Sequence, residues 1–226
     1  DELPRSDRPP TTPPPGPDGH HPMDTSSQQH EYKRLSAADV AIGGGEMGAP
    51  IRDMKWSTTS LGPIESWPQS LRSALSILLP SKAQIALFWG EDLITLYNDA
   101  YRPVFGAKHP IALGKPIREA WDELWRAGLK EIFDGVLNTG EAFWAQDRPF
   151  FMERHGYLEE TYFDVSNDPV RDESGRVGGV FCIVSETTGR VIGARRLRAL
   201  RRLGKTHCDA IVMPAFDHDS ALLALI

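Results

Sequence analysis

Asp99, His109, His155 and Ser166 are the residue types of a hydrolytic site. Their spacing matches neither a nucleophile elbow nor a His-Glu-x-x-His helix. Glu159-Glu160 is a carboxylate pair, yet neighbours along a strand point to opposite faces and cannot share a proton. Only two cysteines are present, Cys182 and Cys208, too few for a disulfide framework or a zinc site, which points to a reducing compartment. His20 and His21 are adjacent in a polar segment and read as a solvated tail, not a metal site. The run Gly43-Gly44-Gly45-Glu46 lacks the Gly-Lys-Ser/Thr ending of a phosphate-binding loop and reads as a hinge. No catalytic or metal-binding set emerges from these residues.

Recognition is the chemistry that remains. Trp89, Tyr97, Tyr101, Phe105, Trp121, Trp125, Phe133, Phe143, Phe163 and Phe181 are spread over segments that pattern as strands and helices. Together they are candidates to line a cavity, since ligand sites are typically apolar with a few polar groups. The competing reading is that they only fill the core.

The elements that must carry these residues follow from periodicity. Ser66 is expected to cap a helix with Pro68 in its first turn and Trp67, Leu71, Ala74, Leu75 and Leu78 at helical spacing, ended by Pro80. Apolar runs at 84–89 and 93–97 flank Gly90-Glu91-Asp92 and predict a hairpin. Asn98 or Asp99 is expected to cap a short helix that Gly106 stops. Pro116 opens a further helical region with Ile117, Ala120, Trp121, Leu124 and Trp125 on one face. Another helix over 129–137 buries Ile132, Phe133, Val136 and Leu137.

Three strands come next. The first covers 142–152, with Pro149 marking an edge or a bulge. In the second, Thr161, Phe163 and Val165 alternate with Tyr162, Asp164 and Ser166. The third covers 177–185, with Val180, Cys182 and Val184 on one face and Val177, Phe181 and Ile183 on the other. Phe181→Ala is expected to cost about 3–5 kcal/mol if that side chain is buried. Thr187 or Thr188 caps a final helix reaching about Leu203. The fold class is therefore α+β, a five-stranded antiparallel sheet with helices on one face.

Eight of the chain's 18 prolines lie between Pro4 and Pro22, so residues 1–42 read as a disordered tail with too little apolar surface to offset its ordering entropy. A hydrophobic content of 40% supports one core, and a net charge of −6 argues against nucleic acid as a partner. No apolar run is long enough to span a membrane and no secretory signal is visible, so the expected location is cytoplasmic. Residues 190–205 carry seven basic side chains and no acid, with a thin apolar stripe at Val191, Ala194, Leu197 and Leu200. This is read as a solvated signalling helix.

The order of elements resembles a PAS domain. Leu96-Tyr97-Asn98-Asp99-Ala100-Tyr101 followed by Phe105-Gly106 is similar to the second strand and first short helix of that family. Asp172-Glu173-Ser174-Gly175-Arg176-Val177-Gly178-Gly179 is similar to its last hairpin. Gly45-Glu46-Met47-Gly48-Ala49, Trp56-Ser57 and Leu61-Gly62-Pro63-Ile64-Glu65-Ser66-Trp67-Pro68-Gln69-Ser70-Leu71 resemble the lead-in of a bacterial subgroup. In that subgroup the PAS domain stands ahead of a GAF domain and a histidine kinase. The implied division is a lead-in over 43–80, a PAS-like sensory domain over 81–186, an exit helix over 187–204 and an atypical tail over 205–226. The chain departs from the subgroup after Leu203, where a connector is expected, and reads as cut off before any catalytic domain.

The resemblance implies a sensory module, the input domain of a sensor histidine kinase in a two-component system. Ser185, Glu186, Thr187 and Thr188 would relay the signal into the exit helix. Expected partners are a second copy, in a weak dimer, and a kinase or GAF-type domain, without nucleic acid or membrane. Kinase activity is not expected, because His207-Cys208-Asp209 leaves no room for an ATP-binding domain. Flavin chemistry in light-sensing relatives needs an Asn-Cys-Arg-Phe type motif that is missing here. The haem relatives' axial His has no counterpart on 129–137. No cofactor is identified, and an unknown small ligand stays open. The rival readings are an interaction and dimerisation module without ligand, and the full kinase.

Overall fold

Continuous burial on the first hairpin and alternating burial on the later strands build the sheet. Its strands are β1 (Gln84–Trp89), β2 (Ile94–Tyr97), β3 (Phe143–Glu153), β4 (Leu158–Arg171) and β5 (Val177–Glu186). The computed structural model describes residues 44–203 and the backbone of 210–213 and 222–225. The expectations for residues 1–42, for His20 and His21, and for the side chains of 205–226 lie outside the described residues. The five strands pair antiparallel in the order β2-β1-β5-β4-β3. A helical crossover carries the chain from one edge strand, β2, to the other, β3, a span no tight turn can bridge. Pro149 lies on edge strand β3, where a proline costs no ladder bond on its open side, and a bulge falls between Ala145 and Arg148.

The helices are α1 (Gly45–Asp53), α2 (Gln69–Leu78), α3 (Arg102–Phe105), α4 (Ile117–Ala120), α5 (Asp122–Leu124), α6 (Lys130–Thr139) and α7 (Thr188–Arg202). In the tail, Ala210–Met213 pairs antiparallel with Leu222–Leu225. The α+β class and the five-stranded antiparallel sheet are as expected. The crossover helices take one face, where Phe133 of α6 meets Phe88 edge-on at 5.2 Å between ring centres. On the opposite face Ile85, Leu87, Ile94 and Leu96 are also buried. Helix α2 packs along β1 and covers them with Leu71, Leu75 and Leu78, all fully buried. The β1–β2 hairpin is apolar on both faces, so it needs cover on both. Each such leucine contributes about 1.5–3 kcal/mol.

Four local details differ from the sequence expectations. Helix α2 begins at Gln69, after Pro68, and Ser66 does not cap it: the Ser66 hydroxyl donates to Pro63 O in a preceding 3-10 turn. A distant carboxylate does that work. Glu173, in the β4–β5 turn, accepts from Ser70 N at 2.8 Å. Gly44-Gly45 is an anchor, not a hinge. Gly45 has φ of 54°, and a side chain there would collide with the Asp99 carboxylate, which accepts from Glu46 N at 3.0 Å and Met47 N at 2.7 Å. Asp99 thus caps α1, while Asn98 caps the turn at Asp99–Tyr101. The single periodic helix expected after Pro116 is broken at Trp121 and kinked again at Gly128, where φ is 107°. Finally, Phe181 lies on the face away from the crossover and is only partly buried.

Asn98 is the main tie between these pieces. It is fully buried, its Oδ1 accepts from Ile85 N and Tyr101 N, and its Nδ2 faces the carbonyls of Leu78, Ser81 and Ala83. One amide therefore joins the end of α2, the start of β1 and the first turn of the crossover. Gly106 makes a second close approach: its φ is 54°, and a Cβ there would lie 2.3 Å from Arg154 O.

Candidate functional site

Between the sheet and the crossover helices lies a cavity of about 40 Å³, counted over the positions a water-sized sphere can occupy. That is room for about three waters, or roughly 90 Å³ of liquid, the size of one small ring. Its walls are Phe88 from β1, Tyr101 and Val104 near α3, Ile117, Trp121 and Leu124 along the crossover, and Phe133 from α6. Phe150, Met152, Phe163, Val165, Asn167, Cys182 and Val184 complete it from β3, β4 and β5. No charged side chain is among them.

Of the aromatic residues expected from sequence, Tyr101, Trp121, Phe133 and Phe163 line the cavity. Five do not. Trp89 is on the opposite face, against Gly178 and Gly179, and Phe181 points the same way, because one residue's shift along a strand reverses its face. Phe105 lies behind the wall, stacked on Trp121 at 5.1 Å and 13°. Tyr97 packs on Phe105, and its hydroxyl bonds to His109 Nδ1 at 2.8 Å. Phe143 is partly buried beneath the Arg148 guanidinium, 5.4 Å from its ring centre. Trp125 packs on Phe133 without reaching the cavity.

Sequence reasoning missed Phe88 and Phe150, the aliphatic walls and, more tellingly, Asn167. Its signal was available: Thr161, Phe163 and Val165 set the inward register of β4, and Asn167 is the next position on that face. It is 1% exposed, and its Oδ1 has no hydrogen-bond partner. Cys182 is its cross-strand partner, with the thiol pushed up to about 12 by burial. Burial also raises the Tyr101 phenol well above its ordinary value. His109 is lowered, by desolvation first and by the Arg102 charge second.

The proposed relay residues gather where β5 passes into α7. Arg154 is 8% exposed and grips Glu186 through two bonds of 2.8 Å while touching Glu159 at 3.2 Å. Burial works to raise the Glu186 carboxyl, but the bonds from Arg154 and Thr188 outweigh it, and its pKa is lowered. The helix-capping role expected of Thr187 or Thr188 is replaced by ties to the sheet. Thr187 N donates to Tyr162 O at 2.7 Å, and its hydroxyl donates to Asp147 at 2.7 Å. Thr188 Oγ1 accepts from Tyr162 N at 2.9 Å and donates to Glu186 at 2.8 Å. Asp147, at the β3 bulge with φ of 49°, also pairs with Arg190 at 2.8 Å. Ser185 is exposed and lies outside this set of bonds.

Among the described residues no helix is long and apolar enough to cross a membrane, and no group of three or more His, Cys, Asp or Glu can hold a metal ion. Residues 83–192 match the PAS fold family. Among solved structures, the chain is similar to a sensory box sensor histidine kinase from Vibrio cholerae at 18% identity, over 46% of this chain and 81% of that one, with a TM-score of 0.36. It is similar to the PAS domain of BvgS from Bordetella pertussis at 24% identity, over 54% and 90%, with a TM-score of 0.39. It is also similar to VqmA of Vibrio cholerae at 18% identity, over 46% of this chain and 45% of that one, with a TM-score of 0.37.

Proposed function

We propose that the PAS-fold segment at residues 83–192 is a sensory domain, the input module of a sensor histidine kinase, reading a small ligand in the sheet–helix cavity. One observation carries this reading. Strand β5 supplies Cys182 and Val184 to the cavity wall, and after Glu186 it runs directly into α7. A ligand that shifts β5 acts on the Arg154–Glu186 pair and on the threonine bonds to Tyr162 and Asp147. Binding free energy that differs between two positions of α7 then biases an attached domain between two states.

The module itself does no chemistry in this reading, and its output partner is a kinase or GAF-type domain, with weak pairing of two copies through α7. The reading includes neither flavin nor haem. The cavity volume suits a single small ring, no histidine lines it, and the Cys182 thiol is buried on a strand. The interaction-only rival predicts no ligand.

Native mass spectrometry of the recombinant chain tests both, because it reports bound small molecules and copy number together. Added mass on the folded chain, lost on denaturation, supports the sensor. A chain without added mass, in which known small ring compounds also leave α7 amide exchange unchanged, supports the interaction module. Incubation with labelled ATP is expected to leave the protein unlabelled, and labelling would overturn the non-enzymatic part of the proposal.

A further inference from the structure

Helix α7 carries six arginines and no acidic residue. Near its start the sheet answers that charge. Arg190 pairs with Asp147 at 2.8 Å and Arg195 with Glu160 at 3.1 Å, and the Arg195 guanidinium lies 4.8 Å from the Tyr162 ring centre. Further along, Arg198, Arg201 and Arg202 are exposed. At 3.6 residues per turn these three share an arc of about 100°, while Ile192, Leu197, Leu200 and Leu203 share a separate arc of about 140°. Arg196 is the one basic residue inside the apolar arc. Leu197 and Leu203 stay 40% and 74% exposed, although the Leu222–Leu225 strand runs beside the helix.

A second apolar element borders this helix. Phe150 and Met152 line the cavity, so Phe151 between them points to the outer face of the sheet. Its cross-strand partner is Glu160, the residue that holds Arg195. Leu158, two positions before Glu160, shares that face, and Tyr157 precedes it in the turn. Phe151, Tyr157 and Leu158 are 55%, 63% and 60% exposed. A basic amphipathic helix and an apolar hairpin tip are therefore exposed next to each other, brought together by the Arg195–Glu160 pair.

We propose that α7 and the β3–β4 hairpin tip together form a docking surface for an anionic lipid layer. Guanidinium groups bind phosphate through paired hydrogen bonds, and leucine and aromatic side chains enter the boundary between headgroups and acyl chains. Charge complementarity sets the sign of the lipid. The chain's net charge of −6 opposes approach by any other face, so the basic helix also sets the orientation. A nucleic acid duplex would use the arginines but leave Leu197, Leu203, Phe151 and Leu158 in water. A groove in an acidic protein would take the helix alone, whereas a planar layer takes the helix and the neighbouring hairpin tip at once. No described helix is long and apolar enough to cross a membrane, so the contact is one of surface. It is independent of any ligand in the cavity, and it competes with pairing of two copies for the same leucines.

The test sediments the full chain with vesicles of phosphatidylcholine, with and without phosphatidylglycerol, at low and physiological salt. Binding to the anionic vesicles should be at least about tenfold stronger than to the neutral ones, and it should fall as salt rises. That sign separates it from pairing of two copies, which salt strengthens. Each arginine beside such a surface is worth about fivefold in affinity. Arg198→Gln, Arg201→Gln and Arg202→Gln combined should therefore cost at least about tenfold, even with partial screening. Phe151→Ser with Leu158→Ser should weaken binding by at least about fivefold and leave its salt dependence unchanged. All five side chains are exposed, and circular dichroism checks that both variants keep the fold. Equal binding to the two kinds of vesicle, or undiminished binding of the arginine variant, overturns the proposal. Undiminished binding of the serine variant removes the hairpin tip and overturns the composite surface. Tighter binding to a duplex DNA probe than to the anionic vesicles assigns the face to nucleic acid and overturns it as well. An empty cavity alters none of these results, so failure here and failure of the sensor reading are told apart.

Discussion

Replacing Asn98 by alanine should destabilise the domain more than any change at an exposed turn. The Nδ2 group has two hydrogens, so of the three carbonyls it faces, at 3.1, 3.0 and 2.8 Å, it satisfies two at a time. Oδ1 accepts two bonds, at 3.2 and 3.1 Å. Four net bonds at about 0.5–1.5 kcal/mol each, in a fully buried site, give a loss of about 2–6 kcal/mol. For a folded unit of this size that is a fall in Tm of about 4–24 °C, at roughly 2–4 °C per kcal/mol. Urea unfolding followed by circular dichroism should show a lower midpoint with an unchanged slope.

Asn98→Asp separates a simple cap from a three-way tie. It keeps both accepting contacts but turns an oxygen towards the three carbonyls. At neutral pH it should be at least as damaging as alanine. Burial among carbonyl oxygens raises that carboxyl, so the variant should recover stability as the pH falls and the carboxyl is protonated. A loss below about 1 kcal/mol for alanine, or a near-neutral aspartate as expected of an ordinary N-cap, would refute the tie.

Phe133→Ala should cost about 3–5 kcal/mol, since Phe133 is fully buried against Phe88. Phe181→Ala, on the partly covered face, should cost about 1–2 kcal/mol, and paired urea titrations that rank them the other way would reverse the assignment of faces. Glu186 has a lowered pKa in the folded state, so its contribution is present above its unfolded value of about 4.3 and lost as pH falls through the folded value. Glu186→Gln should therefore flatten the acid limb of stability against pH, and parallel curves for the two proteins would exclude the pair. A chain ending at Glu186 should associate less than the full chain in sedimentation, and salt should strengthen the full chain's association by screening the basic residues of α7. Equal behaviour of the two chains would remove α7 from the contact.

The amino-acid sequence by itself determined the strand and helix order, the division of β5 into two faces, the β1–β2 hairpin and the resemblance to the PAS fold. These depend on short periodic patterns and local turn chemistry, which neighbouring residues dictate. It also held the inward register of β4, though Asn167 was legible there only by extending the alternation past Val165. Tertiary structure alone decided which rings meet a common space. Trp89 and Phe181 were set apart because a strand's face is fixed by register with its partners, and Phe105 because it stacks behind Trp121. The same holds for the long-range caps, Asp99 on α1 and Glu173 on α2, and for the Arg154–Glu186 pair. Their partners lie far apart in the chain, and charge or hydrogen-bonding capacity does not say in advance which distant backbone will arrive beside it.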